Sequence, residues 1–151
     1  MKIRKAVIKD IPRVHRIINN FAGQNLLLPC SFNQLYGNIR DFWVCEKKGK
    51  VAGCGALHIF WGDLAEIRSL AVIQPEQRKG IGTKLVKTIL KEAKNLKIPK
   101  IFLLTKVPKF FGRFGFQEVP KRTLPRKIWG VCINCPKFPN HCDEIALIYK
   151  T

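Results

Sequence analysis

The chain has 151 residues, with 28 Lys and Arg against 10 Asp and Glu, a formal charge of +18. Hydrophobic residues are 46% of it and charged residues 25%, which excludes a disordered polymer and suits one ordinary domain, residues 1–151, not two. The longest uncharged stretch with apolar character, around Phe21 to Tyr36, is broken by Gly23, Gln24, Asn25, Pro29 and Asn33, so no stretch reaches the ~20 apolar residues of a membrane span.

Met1-Lys2-Ile3-Arg4-Lys5 carries charge where a secretion signal turns apolar, and a cytoplasmic protein is expected. Residues 2–7 alternate as a short strand. Asp10 is then placed as the cap of a helix with Pro12 in its first turn and Ile11, Val14, Ile17, Ile18 and Phe21 on one face. Ser31 with Gln34 has the capping-box pattern, predicting a second helix to about Arg40. Two strand-like runs, 42–47 and 51–60, flank Lys48-Gly49-Lys50, and a third, 64–73, follows the Gly62-Asp63 turn. The three predict an antiparallel meander.

After a loop over 74–79, Ile81, Leu85, Ile89, Ala93 and Leu96 recur at helical spacing, with Lys84, Lys87, Lys91 and Lys94 between them. Pro99 stops that helix. The nearly all-apolar run 100–105 predicts a strand buried on both faces. A short helix over 109–114, ended by Gly115, and strands over 116–119 and 144–150 complete the order. Residues 120–142 read as an irregular Pro- and Cys-rich segment. The sum is an α/β protein: a mixed sheet flanked by helices.

The most informative segment is Gln77-Arg78-Lys79-Gly80-Ile81-Gly82, between a buried strand and an amphipathic helix. A helix start leaves backbone N–H groups unpaired and carries the positive end of the dipole. Two glycines let the main chain approach an anion, as a pyrophosphate requires. Taken alone the pattern is a basic turn, and it fits neither the dinucleotide nor the P-loop spacing.

Leu70-Ala71-Val72 followed by Pro75 and this turn resembles motif A of the GNAT (GCN5-related) N-acetyltransferases. Phe110-Phe111 with Phe114-Gly115-Phe116 resembles that family's short helix and Gly-Phe. The resemblance implies a GNAT-type mixed, largely antiparallel sheet flanked by helices, and an enzyme using acetyl-CoA as co-substrate. By similarity, the main chain at Leu70, Ala71 and Val72 lines the acetyl and pantetheine part. That at Gln77, Arg78, Lys79, Gly80, Ile81 and Gly82 holds the pyrophosphate. Within the family, the 26–35 segment, the 65–72 strand, 101–105 and the Cys132–Glu144 segment resemble the acetyltransferase domain of bacterial N-acetylglutamate synthases, short single-domain type. That implies a small acidic amino acid, L-glutamate, as acceptor, in arginine biosynthesis. The resemblance also makes Glu66 the catalytic base and Lys106 a binder of the substrate carboxylate.

Four positions depart from the pattern. Pro29 and Cys30 stand where an arginine usually pairs with a substrate carboxylate. Lys106 replaces another arginine and lacks its bidentate fork. Phe111 replaces the tyrosine that serves many relatives as general acid, leaving that role unassigned. From the residues themselves, Glu66 is either a base or an exposed partner of Arg68, and Arg68 either binds a carboxylate or is a solvated strand residue. His15 reads as a structural histidine and His58 has no assigned role. Trp43, Trp61 and Trp129 read as packing residues.

Six cysteines lack a secretory context, which favours free thiols or metal ligands over disulfides. Cys132 and Cys135 have knuckle spacing, and His141 or Cys142 could complete a zinc site; three plain thiols are the alternative, and a metal stays undecided. The charge favours anionic partners, acetyl-CoA and an acidic amino acid first. Two other functions compete: acetylation of a protein amine or another small amine, and a basic nucleic-acid or ribosome-associated module with a vestigial acetyl-CoA site. No RNA-binding motif accompanies the charge, and nucleic acid is not the expected partner. No membrane partner is expected, and a homodimer is allowed.

Overall fold

The computed structural model describes residues 1–124 and 144–151. In chain order its elements are β1 (Lys2–Lys5), α1 (Ile11–Gly23), α2 (Phe32–Gly37), β2 (Phe42–Lys47), β3 (Lys50–Trp61), β4 (Leu64–Val72), α3 (Ile81–Asn95), β5 (Lys100–Thr105), α4 (Pro108–Gly112), β6 (Gln117–Val119) and β7 (Ile145–Lys150). Short 3-10 turns stand before α1, β2 and α3 and after β6. The strands form one sheet in the order β1-β2-β3-β4-β5-β7-β6. Every neighbouring pair is antiparallel except β4 and β5, which α3 joins as a crossover.

The predicted meander is β2-β3-β4. Lys48 (φ 52°) and Gly49 (φ 76°) both take left-handed backbone in its first turn, as a two-residue hairpin requires. One face of the meander carries Val44, Cys54, Ala56 and Ala71 against Ile11, Val14, Ile18 and Leu35 of α1 and α2. The other carries Leu57, Ala65 and Ile67, joined by Ile101 and Leu103 of β5, against Val86, Ile89 and Ala93 of α3 and Phe111 of α4. Helices therefore cover both faces, which is why β3 and β4 are apolar almost throughout.

Ser31 caps α2 as its pattern predicts. Its hydroxyl accepts the Gln34 N–H at 3.1 Å, and the Gln34 side chain accepts the Ser31 N–H at 2.8 Å. The helix ends at Gly37, short of Arg40, and the chain turns through Ile39–Asp41 into β2. The helix after β5 is a single turn, Pro108–Gly112, shorter than 109–114. Asp10 stands at the cap position of α1, but its side chain makes no cap bond to that helix. Its carboxylate accepts the Val7 N–H at 2.8 Å and two bonds from Arg4, at 2.7 and 3.0 Å. That claim on Val7 ends β1 at Lys5 and starts a 3-10 turn at Ile8, so the first strand is shorter than 2–7. Burial works to raise the Asp10 carboxyl, but the hydrogen bonds from Arg4 and Val7 outweigh it and hold the group below the ordinary carboxylate range.

Trp43 packs as expected, its Nε1–H donating to Glu92 at 2.9 Å. Trp61, also expected to pack, is 67% exposed beside the β3–β4 turn. Trp129, Cys132, Cys135, His141 and Cys142 lie outside the described residues. Among the described residues no group of three or more His, Cys, Asp and Glu is placed to hold a metal. No helix there is long and apolar enough to cross a membrane.

Candidate active site

β4 and β5 start together and then separate. They pair only at Leu64–Lys100, Ala65–Ile101 and Glu66–Phe102, yet β4 continues to Val72 and β5 to Thr105. Between them opens a cleft of about 840 Å³. A bulge in β4 helps to part them. Cys54 faces Ala71 and Ala56 faces Arg68, so Ser69 and Leu70 together oppose the single residue Gly55. Ser69 takes φ 57° there. The bulge breaks the alternation of β4, sending Leu70 and Val72 to the α3 side while Ala71 stays with α1. Gly55 is required opposite it: a Cβ would lie 2.9 Å from Leu70 Cδ1 and 3.0 Å from Ile89 Cδ1.

One end of the cleft is the turn into α3. Arg78 (φ 64°) and Gly80 (φ 85°) take left-handed backbone, and Gly80 caps the helix without a side chain. The first helical bond runs from Lys84 N–H to the Gly80 carbonyl, so Ile81, Gly82 and Thr83 have no partner for their N–H groups within the helix. Gly82 faces Phe110, whose Cζ would stand 3.3 Å from an added Cβ. Gln77 ties the turn to the end of β4, donating from Nε2 to the Val72 carbonyl at 2.9 Å. Unpaired N–H groups at the positive end of a fifteen-residue helix, with Arg78 beside them, fit a pyrophosphate.

Eight of the nine residues expected to bind the cofactor line this cleft: Leu70, Ala71, Val72, Gln77, Arg78, Gly80, Ile81 and Gly82. Lys79 is not among the lining residues; its ammonium lies 3.5 Å from Glu76. Arg68 and Lys106 both line the cleft. Lys106 already donates to the Asn25 carbonyl at 2.7 Å, tying the loop after α1 to the end of β5. Phe111 is buried against the α3 side of the sheet and offers no acid.

Glu66 is not among the cleft residues. It stands two residues before Arg68 on the same face of β4, and the two form an ion pair, Nη2 to Oε1 at 2.7 Å and Nε to Oε1 at 2.8 Å. Its side chain is 14% exposed. Burial pushes the Glu66 carboxyl up, and Arg68 only partly offsets this. Both residues share the α1 face of the sheet with Ala56, whereas the α3 turn belongs to the opposite face. The cleft thus has the glycine turn into α3 at one side and Arg68 and Lys106 at the other, with Glu66 outside its lining and paired to Arg68.

Several features escaped the sequence. Nothing in Ser69-Leu70 announces a bulge, although Gly55 across from it is a signal for one. Phe21, Leu26 and Leu27 give the cleft an apolar wall, and Glu144 also lines it. His58, unassigned before, holds Asp41 by Nδ1 at 2.7 Å. His15 stacks on Phe32 with ring centres 3.8 Å apart, the structural role expected of it.

A splayed parallel pair of strands, with a helix N-terminus at one end and a carboxylate behind the other, defines an acyltransferase that draws on a phosphorylated thioester carrier. The Acetyltransferase (GNAT) family model matches residues 13–116, and the chain belongs to that family. It is an N-acetyltransferase with acetyl-CoA as co-substrate. The chain is 40% identical to an uncharacterized N-acetyltransferase of Chlorobaculum tepidum, over 97% of its own length and 94% of that protein. It is 39% identical to an amino-acid acetyltransferase of Mycobacterium tuberculosis, over 78% of its length and 68% of the relative. Among solved structures, Rv2747 of M. tuberculosis, in complex with CoA and NLQ, matches with a TM-score of 0.88 at 30% identity, covering 100% of this chain and 99% of that one. The N-acetylglutamate synthase of Neisseria gonorrhoeae, complexed with coenzyme A and N-acetyl-glutamate, matches with a TM-score of 0.87 at 29% identity. That match covers 99% of this chain and 34% of the longer protein.

Proposed function

We propose that the chain acetylates the α-amine of a small acidic amino acid, L-glutamate, and so acts as an N-acetylglutamate synthase in arginine biosynthesis. The observation that carries the reading is the presence of two cations, Arg68 and Lys106, on the same cleft as the glycine turn into α3. An acceptor with two carboxylates needs such cations. The likeness to amino-acid acetyltransferases supports the reading.

Acetyl-CoA would be held by the main chain of Gln77 to Gly82 at its pyrophosphate and by Leu70, Ala71 and Val72 nearer the thioester. It supplies an acetyl group activated as a thioester. Glu66 takes a proton from the acceptor's ammonium, directly or through one water, leaving a lone pair to attack. Its burial suits it to the task, because a carboxylate raised from its ordinary range is a better base near neutral pH. A main-chain N–H near Val72 donates to the carbonyl oxygen as negative charge develops there. Arg68 and Lys106 orient the acceptor's carboxylates. Lys106 binds as a point charge, so it holds a carboxylate less rigidly than an arginine would.

A panel of amino acids, polyamines and N-terminal peptides, read by release of free thiol from acetyl-CoA, tests the assignment. L-glutamate should be turned over fastest. A preference for peptides or polyamines would replace the acceptor and keep the acetyltransferase, and turnover of none would remove the enzymatic reading of the acceptor site.

A further inference from the structure

Behind Glu66 the structure holds a second pair that the acetyl transfer described above does not use. His58 lies directly opposite Glu66 across the β3–β4 ladder, so the two side chains leave the same face of the sheet, with Cβ atoms about 5 Å apart. His58 Nδ1 is 2.7 Å from Asp41 Oδ2, which comes from the turn before β2. His58 and Asp41 are 29% and 24% exposed at the side chain, against 14% for Glu66, so both are more open to water than Glu66. The Phe60 ring stands edge-on to His58 at 5.2 Å and under the Arg68 guanidinium at 5.5 Å, packing one side of the row. Among the described residues, the charged groups around His58 are Asp41 on one side and Glu66 with Arg68 on the other; Glu144 acts on Glu66 from the start of β7.

We propose that His58, oriented by Asp41, is a positioning residue that relays the acceptor's proton from Glu66 to bulk water. The inference rests on Glu66 being the base. A base with little access to water must be emptied before each new turnover. With Nδ1–H given to the Asp41 carboxylate, Nε2 is the ring nitrogen that can accept. The ammonium N–H bond breaks as an O–H bond forms on Glu66. That O–H then breaks as an N–H bond forms at His58 Nε2, directly or across one water. The imidazolium, balanced by Asp41, gives the proton to solvent. One proton leaves per turnover, and both side chains end as they began. The arrangement applies the carboxylate–histidine logic of a catalytic triad to a proton leaving rather than to a nucleophile.

The test uses the full chain with acetyl-CoA and L-glutamate, or with the amine that the panel above returns. His58→Ala should lower kcat about 10- to 100-fold, with the KM for acetyl-CoA within about twofold of the parent, and added imidazole should restore at least about tenfold. His58→Gln, which keeps a donor for Asp41 but cannot carry a proton, should be equally slow while unfolding at the parent temperature. Asp41→Asn should be slowed in the same direction by about tenfold. A kcat within twofold of the parent in folded His58→Gln, or a loss in folded His58→Ala that imidazole does not repair, overturns the relay. Glu66→Gln is measured beside them. If it alone is slow, the relay fails and the base stands; if it keeps the parental rate and pH profile, both fall.

Discussion

In the proposed reaction Glu66 concentrates the chemistry of the site into one ionisation. Because burial raises its carboxyl, the acid limb of the rate profile should lie above the ordinary carboxylate range, with activity rising as pH climbs through that value. Glu66→Gln should keep acetyl-CoA binding, lose that limb, and recover part of its rate at high pH, where more acceptor amine is neutral. A profile unchanged from the parent would remove Glu66 as the base. Lys106 donates to the Asn25 carbonyl, and in the proposed reaction the same ammonium also meets a substrate carboxylate. Lys106→Ala should therefore raise the KM for glutamate far more than that for acetyl-CoA, and initial-rate measurements in both substrates separate the two. Cys54 needs no redox role to explain it: it is fully buried, its Sγ sits 3.4 Å from the Ser69 carbonyl, and desolvation pushes its thiol up to about 12.

At the scale of elements, the two departures from regularity, the β4 bulge and the glycine turn into α3, define the cleft. In Gly55→Ala the new methyl would press Leu70 and Ile89 apart, at a cost of about 1–3 kcal/mol, and would shift the strand facing the thioester. Calorimetry should find both a lower unfolding temperature and weaker acetyl-CoA binding. Gly82→Glu places a carboxylate where the pyrophosphate belongs, beside Phe110. Binding should vanish while the unfolding temperature stays within about 4 °C of the parent; normal affinity in the folded variant would remove this turn as the phosphate site. The turn was legible in the sequence as a helix start written with two glycines, and its assignment to the pyrophosphate came from the likeness to the GNAT motif, since the pattern alone is a basic turn. The bulge was not legible, since its residues are ordinary and only the pairing with β3 makes one of them extra. The Asp10 reading failed for a related reason. Its place before Pro12 satisfies every local rule for a cap, and the guanidinium that claims it comes from β1. The sequence of elements along the chain, the helix faces and the meander turns followed from periodicity and punctuation, which are local, whereas the sheet type was an implication of the family resemblance. The Glu66–Arg68 pair, two residues apart on one strand, was among the sequence's alternatives, whereas the partners of Lys106 and His58 are long-range contacts that no spacing encodes.

Across the whole molecule the charge is unevenly compensated. Asp10, Asp41, Glu46, Glu66, Glu76 and Glu92 each have a basic partner, and Arg4 bridges Asp10 and Glu46 where β1 meets β2. Asp10 is 5% exposed, so removing it would leave the part-buried Arg4 guanidinium with Glu46 alone and take the acceptor from the Val7 N–H; Asp10→Ala should cost about 1–3 kcal/mol. Its carboxyl is depressed in the folded chain, so the pair's stabilisation is complete above the unfolded value of 3.8 and is lost as pH falls through the lower folded one. Acid unfolding followed by circular dichroism should show a steeper loss below about pH 4 in the parent than in Asp10→Asn.

The short seam between β4 and β5 has a mechanical meaning. Three residue pairs stitch the β1-to-β4 leaf to the β5-β7-β6 leaf within the sheet, with α3 and its apolar face as the other brace. Such a sheet resembles a book held by a few stitches at one end of its spine. A ligand whose amide groups bond to the parted strand edges would act as a further row of stitching, as an added strand does in other sheets. The leaves should then fluctuate less as one body: amide hydrogens of Ile67 to Val72 and of Leu103 to Thr105 should exchange more slowly with coenzyme A present, those of β1 and β2 should change little, and exchange that slows equally everywhere would show that the spine was already closed.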